Sequence, residues 1–446
     1  MRKRFISIFG VFVLLVVTCC GAAVPQTTPI LKGLIGGSIV KAATYQEKIA
    51  SWDTSKSYTV TKGSFKFYAH LSKDKKKAWV YKVTTKKKKA APTKLDFPKK
   101  IKKVNVTRIG ADMSFEPEED LDFYQNVFGV WVEYAHDCDG YGIANSKIKT
   151  MTLPATVTEI ERSAFSGMRA LTKVKIPDKV KVLDSEIFYG CKKLKEVKLP
   201  KNLAEFSSHT CFADCPKLDK LAISKKSKKF TAKNGLLLSK NGKNLVWVVP
   251  KKKTVTVPDR VTTIETGAFY SSNATTVKLG KNISDLQRDC LSGTEIEKIT
   301  VDKANPVYAK SGQCIYRRTD GLLTVAIAKS AELVISNKVK KITADATLCG
   351  TLTEDRRVRL LDIPASVTWL GAEWNFAIPV GGGESKVYFR RPTPPQLEKG
   401  GGEFNAKLPI FCKVYVPKAS LKAYQDWYKA TGDFEFILDE KDWCTF

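Results

Sequence analysis

The chain has 446 residues, more than one ordinary hydrophobic core encloses, so several domains or one elongated stack of repeats are expected. Hydrophobic residues at 43% and aromatics at 10% exclude a mainly disordered chain. Lys and Arg number 75 against 45 Asp and Glu, a net charge of +30 that favours acidic partners, while only three His argue against His-based catalysis or a His-rich metal site.

Arg2, Lys3 and Arg4 precede an apolar stretch from Phe5 to Val17, and the small residues Gly21, Ala22 and Ala23 follow. This is the pattern of a secretory signal peptide over residues 1–23, too short for a stable membrane span. Cys19 and Cys20 raise the alternative of a lipid anchor on an amino-terminal cysteine. Against it, Val16-Val17-Thr18 stand where a small residue directly before Cys19 is wanted. No second long apolar run exists, so the mature chain is expected to have no transmembrane span. Nine of the eleven cysteines lie beyond the signal; their odd number and wide scatter do not make a disulfide framework. No CxxC pair and no zinc-like Cys-His spacing occurs.

Residues 24–56 read as a polar tether. Within 57–94, the strand-like runs 64–71 and 77–84 around a turn at 72–76 predict a β-rich amino-terminal cap over the first coil of a stack. Lys86–Lys89 reads as a solvated basic loop. Residues 110–146 fit no repeat. They gather Glu116, Glu118, Glu119, Asp120, Asp122, Asp137 and Asp139 with Trp131, Tyr141, Gly129, Gly140 and Gly142. Asp137-x-Asp139-Gly140 is only a fragment of a calcium loop, so an irregular surface loop is expected and no metal is assigned. Such loops do carry binding function on rigid scaffolds, which makes Trp131 and Tyr141 candidate ligand contacts.

From residue 151 the chain repeats. Segments Met151–Pro154, Val174–Pro177, Val197–Pro200 and Val255–Pro258 correspond, and Pro154, Pro177 and Pro200 are spaced by 23. Three residues beyond each Pro comes an apolar residue, and three further another: Val157 and Ile160, Val180 and Leu183, Leu203 and Phe206, Val261 and Ile264. A large side chain follows at Phe165, Phe188 and Phe269, and slips by one to Phe212 in the third unit. The pattern recurs without its Pro around Ile283 and Val339, and returns with Pro364. Alternation around Val174 and Val197 predicts a short strand with one face inward. Pro then ends the strand, and the remaining apolar positions turn the chain back. Stacking neighbours buries these positions as one core. Cys191 and Cys215, each three residues past a Phe, read as small buried hydrophobes. Two insertions, about 224–253 and 301–331, read as hairpins turning at Asn241-Gly242 and Asp320-Gly321. Gly235 and Gly312 are 77 apart, so a larger duplicated unit is present. At the carboxyl end, 413–446 reads as a cap, with Ser420 starting a helix whose stripe Leu421, Tyr424, Trp427 and Tyr428 is core.

Leu153–Met168, Ile176–Cys191 and Val257–Ser272 resemble the BspA-like leucine-rich repeats, whose unit runs roughly I-P-x-x-V-x-x-I-x-x-x-A-F-x-x-C. Val301–Arg318 and Val414–Trp427 are similar to recurring elements of the same family, and the resemblance covers roughly 95–430. It implies an α/β repeat solenoid over 95–412, with leucine-rich repeats of about 23 residues. Each coil would be a short strand plus a turn or short helix, with inserted β-hairpins and terminal caps. It also implies a secreted or surface protein of bacteria with roles in adhesion and protein binding. Acceptor motifs at Asn105, Asn273 and Asn282 are then expected to carry no glycan.

No G-x-S-x-G, H-E-x-x-H, P-loop or strand-borne G-x-G-x-x-G occurs, so no catalytic, cofactor or metal residue is assigned. Three readings follow. In the first, a non-catalytic surface protein binds an extracellular protein through outward lysines on the strands: Lys173, Lys175, Lys195, Lys198 and Lys278. In the second, net charge alone holds the chain to an acidic glycan or the cell envelope. In the third and weakest, an enzyme uses Glu118 or Asp137. Nucleic acid is disfavoured by the compartment.

Overall fold

In strand Lys173–Lys175 the middle residue Val174 is buried and both lysines are exposed, the outcome of a period-two strand with one dry face. The same pattern recurs one coil at a time. Strands Lys94–Asp96, Thr150–Thr152, Lys173–Lys175, Glu196–Lys198 and Lys220–Ala222 join side by side in one sheet whose resolved pairings are parallel. Thr254–Thr256, Thr276–Leu279 and Lys298–Val301 make a second such sheet. Glu332–Val334, Leu360–Ile363, Ser385–Phe389, Cys412–Val416 and Trp443–Thr445 make a third. This is a solenoid with little helix. The computed structural model describes residues 49–85, 92–111, 123–125, 131–133, 147–206, 210–292, 294–328, 330–350, 358–371, 380, 385–398, 412–430, 438 and 442–446. The signal-like segment, Lys86–Lys89 and most of 110–146 lie outside them. The chain divides after Ser55, and Lys56–Phe446 is one unit.

Each proline starts the next leg of the coil. The carbonyls of Pro154, Pro177, Pro200, Pro258 and Pro364 accept from the N–H three residues on, at 2.9–3.2 Å. The Val or Leu that donates is buried in every case. The next apolar residue forms a second, shorter ladder, such as Thr263–Ile264 beside Asp285–Leu286.

The return arc is turn, and the short-helix alternative is not adopted in these coils. Its backbone shows why. Two residues before Phe165, Phe188, Phe269 and Leu291, the residues Ser163, Glu186, Gly267 and Asp289 have φ of 55°, 58°, 67° and 58°. Two residues after Phe165, Phe188, Phe212 and Phe269, the residues Gly167, Gly190, Asp214 and Ser271 have φ of 73°, 69°, 54° and 59°. Left-handed residues at both ends stop a right-handed helix. The arc's N–H groups instead donate to the next coil: Phe165 to Ile187, Gly167 to Tyr189, Phe188 to Cys211 and Gly190 to Ala213, at 2.8–3.0 Å. An alanine Cβ at Gly167 would meet nothing within 4 Å. Gly167→Ala is therefore expected to cost about 1–2 kcal/mol for the left-handed backbone alone, read from guanidinium unfolding.

The large side chains stack as a column. Ring centroids of Phe97 and Phe165 are 5.9 Å apart, and Phe165–Phe188, Phe188–Phe212 and Phe212–Trp247 are each 5.5 Å apart. The extra residue in the third unit leaves this register intact, since Phe212 lies within 3° of parallel to Phe188.

The insertions divide the core. Each contains three antiparallel strands rather than two: Phe230–Lys233, Leu236–Ser239 and Asn244–Val248, then Tyr308–Ser311, Cys314–Arg317 and Leu323–Ala328. The additional first turn is Asn234-Gly235, with φ of 52° and 75°, both positive as a tight hairpin requires. These strands bury both faces. Leu237 and Trp247 join the amino-terminal cluster, while Leu236, Leu238 and Leu245 join the middle one. Likewise Ile315, Val325 and Ile327 serve the middle cluster, and Cys314, Leu323 and Ala326 the carboxyl-terminal one.

At the amino-terminal side, Phe65–Ser72 pairs antiparallel with Ala78–Thr85, which pairs parallel with Val104–Ile109. Arg108 is buried there, 4.2 Å over the Trp79 ring and 2.7 Å from the Glu161 carboxylate. At the other end, helix Leu421–Ala430 buries Tyr424 completely, and its hydroxyl donates to the Arg391 carbonyl at 3.0 Å. Leu421, Trp427 and Tyr428 pack on the same cluster.

Candidate functional site

Because the middle residue of each short strand points inward, its two neighbours form outward columns along the sheet. Lys173 sits between Thr150 and Glu196 in register, and Glu196 is followed by Lys220. Lys175 is paired in register with Lys198, then Ala222. Lys195 lies one residue before its strand; its N–H donates to the Thr172 carbonyl at 2.9 Å and its carbonyl accepts from Asp219 at 3.2 Å. Four of the five predicted lysines thus share one sheet face, all exposed. Lys278 is exposed as well, but on the second sheet, between Thr256 and Thr300. Trp131 lies opposite Gln125 in the strand pair Phe123–Gln125 and Trp131–Glu133. Tyr141, and Glu118 and Asp137 of the enzymatic reading, fall outside the described residues.

Lys173 and Lys195 also line a cleft of about 570 Å³ on this face, with Glu196, Lys217, Asp219 and Lys220. Thr172 and Lys251 complete its rim. The Lys173 ammonium is 3.1 Å from Glu196, and Lys251 is 3.2 Å from Asp219. Both pairs are solvated, so each is worth little. With five lysines against two carboxylates, the cleft is left at +3. Lys220 was legible from the period, being the residue that follows Lys173 and Glu196 in the same column. Lys217 and Lys251 were not: Lys251 arrives only because its N–H reaches the Leu218 carbonyl after the long insertion.

The charge is concentrated here. Residues 192–253 hold seventeen Lys and four acidic residues, a net +13, while 254–337 hold ten basic and nine acidic residues, a net +1. A basic chain kept soluble by charge alone has no need of that contrast between successive repeat blocks. A second groove, of about 500 Å³, lies beside Gln313, Val334, Ser336 and Asp362. Its Arg390 is held to Asp362 by two bonds of 2.9 Å, so its charge is locally matched.

The thiols are walled off. Cys191, Cys211, Cys215, Cys290, Cys314, Cys349 and Cys412 are buried. The Cys215 Sγ donates to the Phe188 carbonyl at 3.2 Å. Burial pushes the Cys290 and Cys412 thiols up to about 12 and Cys314 to about 11, and raises Cys191 and Cys211. Only the thiolate is a nucleophile. In the native protein at about pH 8, iodoacetamide is therefore expected to leave these seven unmodified and to react at partly exposed Cys444, with all eight reacting in denaturant. Peptide-resolved mass spectrometry reads the result. Among the described residues no cluster of His, Cys, Asp and Glu can hold a metal. No helix among them is long and apolar enough to cross a membrane.

Residues 140–234 and 249–337 match the model of the BspA type leucine-rich repeat region, in six copies. Among solved structures, the chain is similar to a leucine-rich cell surface protein from Faecalibacterium prausnitzii at 15% identity, covering 82% of this chain and 97% of that one with a TM-score of 0.28. It is similar to a leucine-rich repeat protein from Eubacterium ventriosum at 14% identity, over 78% and 99% of the two chains, TM-score 0.30. A leucine-rich repeat protein from Bacteroides ovatus is 14% identical over 85% and 100%, TM-score 0.29. No curated protein matches.

Proposed function

We propose that this chain, whose residues 140–234 and 249–337 are BspA-type leucine-rich repeats, is a secreted or cell-surface protein that binds an extracellular macromolecule without catalysis. The signal-like amino terminus supports the compartment. The observation that carries the binding reading is the lysine-rich sheet face, where Lys173, Lys175, Lys195 and Lys198 project together from coils locked to one another by backbone hydrogen bonds. A rigid repeated face makes many modest contacts without ordering itself on binding. An extracellular protein with an acidic surface is one partner it fits, and Trp131 and Tyr141 of the 110–146 segment are proposed as further contacts. The net +13 over 192–253 favours a second reading, an acidic polysaccharide or the envelope held by charge.

The test is binding of the purified protein to an array of matrix proteins and acidic glycans, at low salt and at about 0.15 M. Saturable binding of one class that persists at the higher salt is expected. Binding to every polyanion that disappears at the higher salt would leave only the charge-driven reading, and silence at both would overturn the proposal.

A further inference from the structure

Two adjacent columns on the sheet face have complementary compositions. The column just before the strands runs Lys149, Thr172, Lys195 and Asp219, joined by backbone bonds from each residue to the one before at 2.9–3.2 Å. The column beside it runs Thr150, Lys173, Glu196 and Lys220, paired in register. Lysine therefore occupies alternate coils in each column, and the two columns are offset by one coil. Neighbouring strands lie roughly 4.7–4.9 Å apart, so successive lysines in one column are about 9–10 Å apart along the stack. The squares between them hold hydroxyls in the first two coils and carboxylates in the last two. The cleft already described lies over the second, third and fourth of these coils.

From this chequered pattern we propose that the face takes a linear acidic glycan laid along the stack, with one anionic group on every second sugar. This rests on the binding reading above and specifies its ligand. The spacing of like charges is close to the length of a disaccharide, and each anion meets an ammonium in one column or the other. The decisive feature is Glu196 and Asp219. Carboxylates among the lysines repel a chain that is anionic at every unit, as a polyphosphate is. They accept hydrogen bonds from the hydroxyls of a neutral sugar, and the Thr172 and Thr150 hydroxyls serve the same squares in the earlier coils. A nucleic acid fits poorly, since each strand carries a phosphate every ~3.4 Å of helix axis.

The experiment compares hyaluronan oligosaccharides, which carry one carboxylate per disaccharide, with inorganic polyphosphate. Both are titrated against the full chain and against Glu196→Lys at about 0.15 M salt. Glu196 is half-buried beside Lys173, and circular dichroism of the variant controls for folding. Saturable hyaluronan binding is expected, weakened about tenfold by Glu196→Lys although the variant is more basic, with polyphosphate binding strengthened. Tighter binding of both probes to the variant would overturn the proposal in favour of plain charge attraction. Polyphosphate binding without hyaluronan binding would do the same. If neither probe binds but an arrayed protein is retained, the glycan assignment fails and the binding reading stands. If nothing binds, both fail.

Discussion

Phe188→Ala is expected to destabilise the protein by about 3–5 kcal/mol, the cost of emptying a filled aromatic site. Phe188 is fully buried, and its ring lies between Phe165 at 5.5 Å and 22° and Phe212 at 5.5 Å and 3°. Its loss opens a cavity in the middle of the column and removes two ring contacts together. In the arc, the N–H of Phe188 bonds to Cys211 in the next coil, so the backbone is held and relaxes little into the gap. Tyr270→Ala is the contrast: that side chain is 42% exposed, and about 0.5 kcal/mol or less is expected. Guanidinium unfolding of both variants gives the comparison, and a Phe188→Ala cost as small as that of Tyr270→Ala would contradict the stacked core.

Gly350→Ala is the second large effect. Gly350 pairs in parallel register with Ala328 at φ +117°, and an alanine Cβ there would lie 2.0 Å from the Ala328 carbonyl oxygen. The clash is with backbone at the carboxyl-terminal end of the pairing between Leu323–Ala328 and Thr347–Gly350, so no side-chain rotation relieves it. Strain and overpacking together are expected to cost about 2–5 kcal/mol, or to separate the two strands. Gly167→Ala, with empty space around it, isolates the backbone part of that cost. The excess at Gly350 over Gly167 measures the close approach, and equal losses would show that the strands are not packed this tightly.

The coil itself was readable because each position has a simple physical rule. Val174 and Val197 alternate with charged residues, Pro177 and Pro200 end the strand, and Phe188 recurs at the same distance. The left-handed pairs were harder to see. Gly167, Gly190 and Gly267 hint at them, but Ser163, Glu186, Asp214 and Asp289 adopt the same conformation with no residue-type signal. The insertions hid a strand each, although Asn234-Gly235 is a turn pair as clear as Asn241-Gly242. A leucine run such as Leu236–Leu238 has no alternation to read when both faces are buried. For the site, outward lysines follow from alternation, whereas which of them share a sheet does not. Alternation groups Lys278 with Lys173, yet the insertion over Phe230–Val248 ends one sheet at Lys220–Ala222 and starts another at Thr254–Thr256. Lys251 joins the cleft through that same insertion, a contact no period announces.

The most direct test of the binding face compares two variants of equal charge. In one, Lys173→Gln, Lys195→Gln, Lys198→Gln and Lys220→Gln are combined; in the other, Lys278→Gln, Lys281→Gln, Lys298→Gln and Lys303→Gln. All eight lysines are exposed, and each variant loses four charges. Binding to the array of matrix proteins and acidic glycans at about 0.15 M salt is measured for both. The first variant is predicted to lose the binding of the natural chain and the second to keep it; equal losses in the two would contradict a site on the Lys173–Lys220 face.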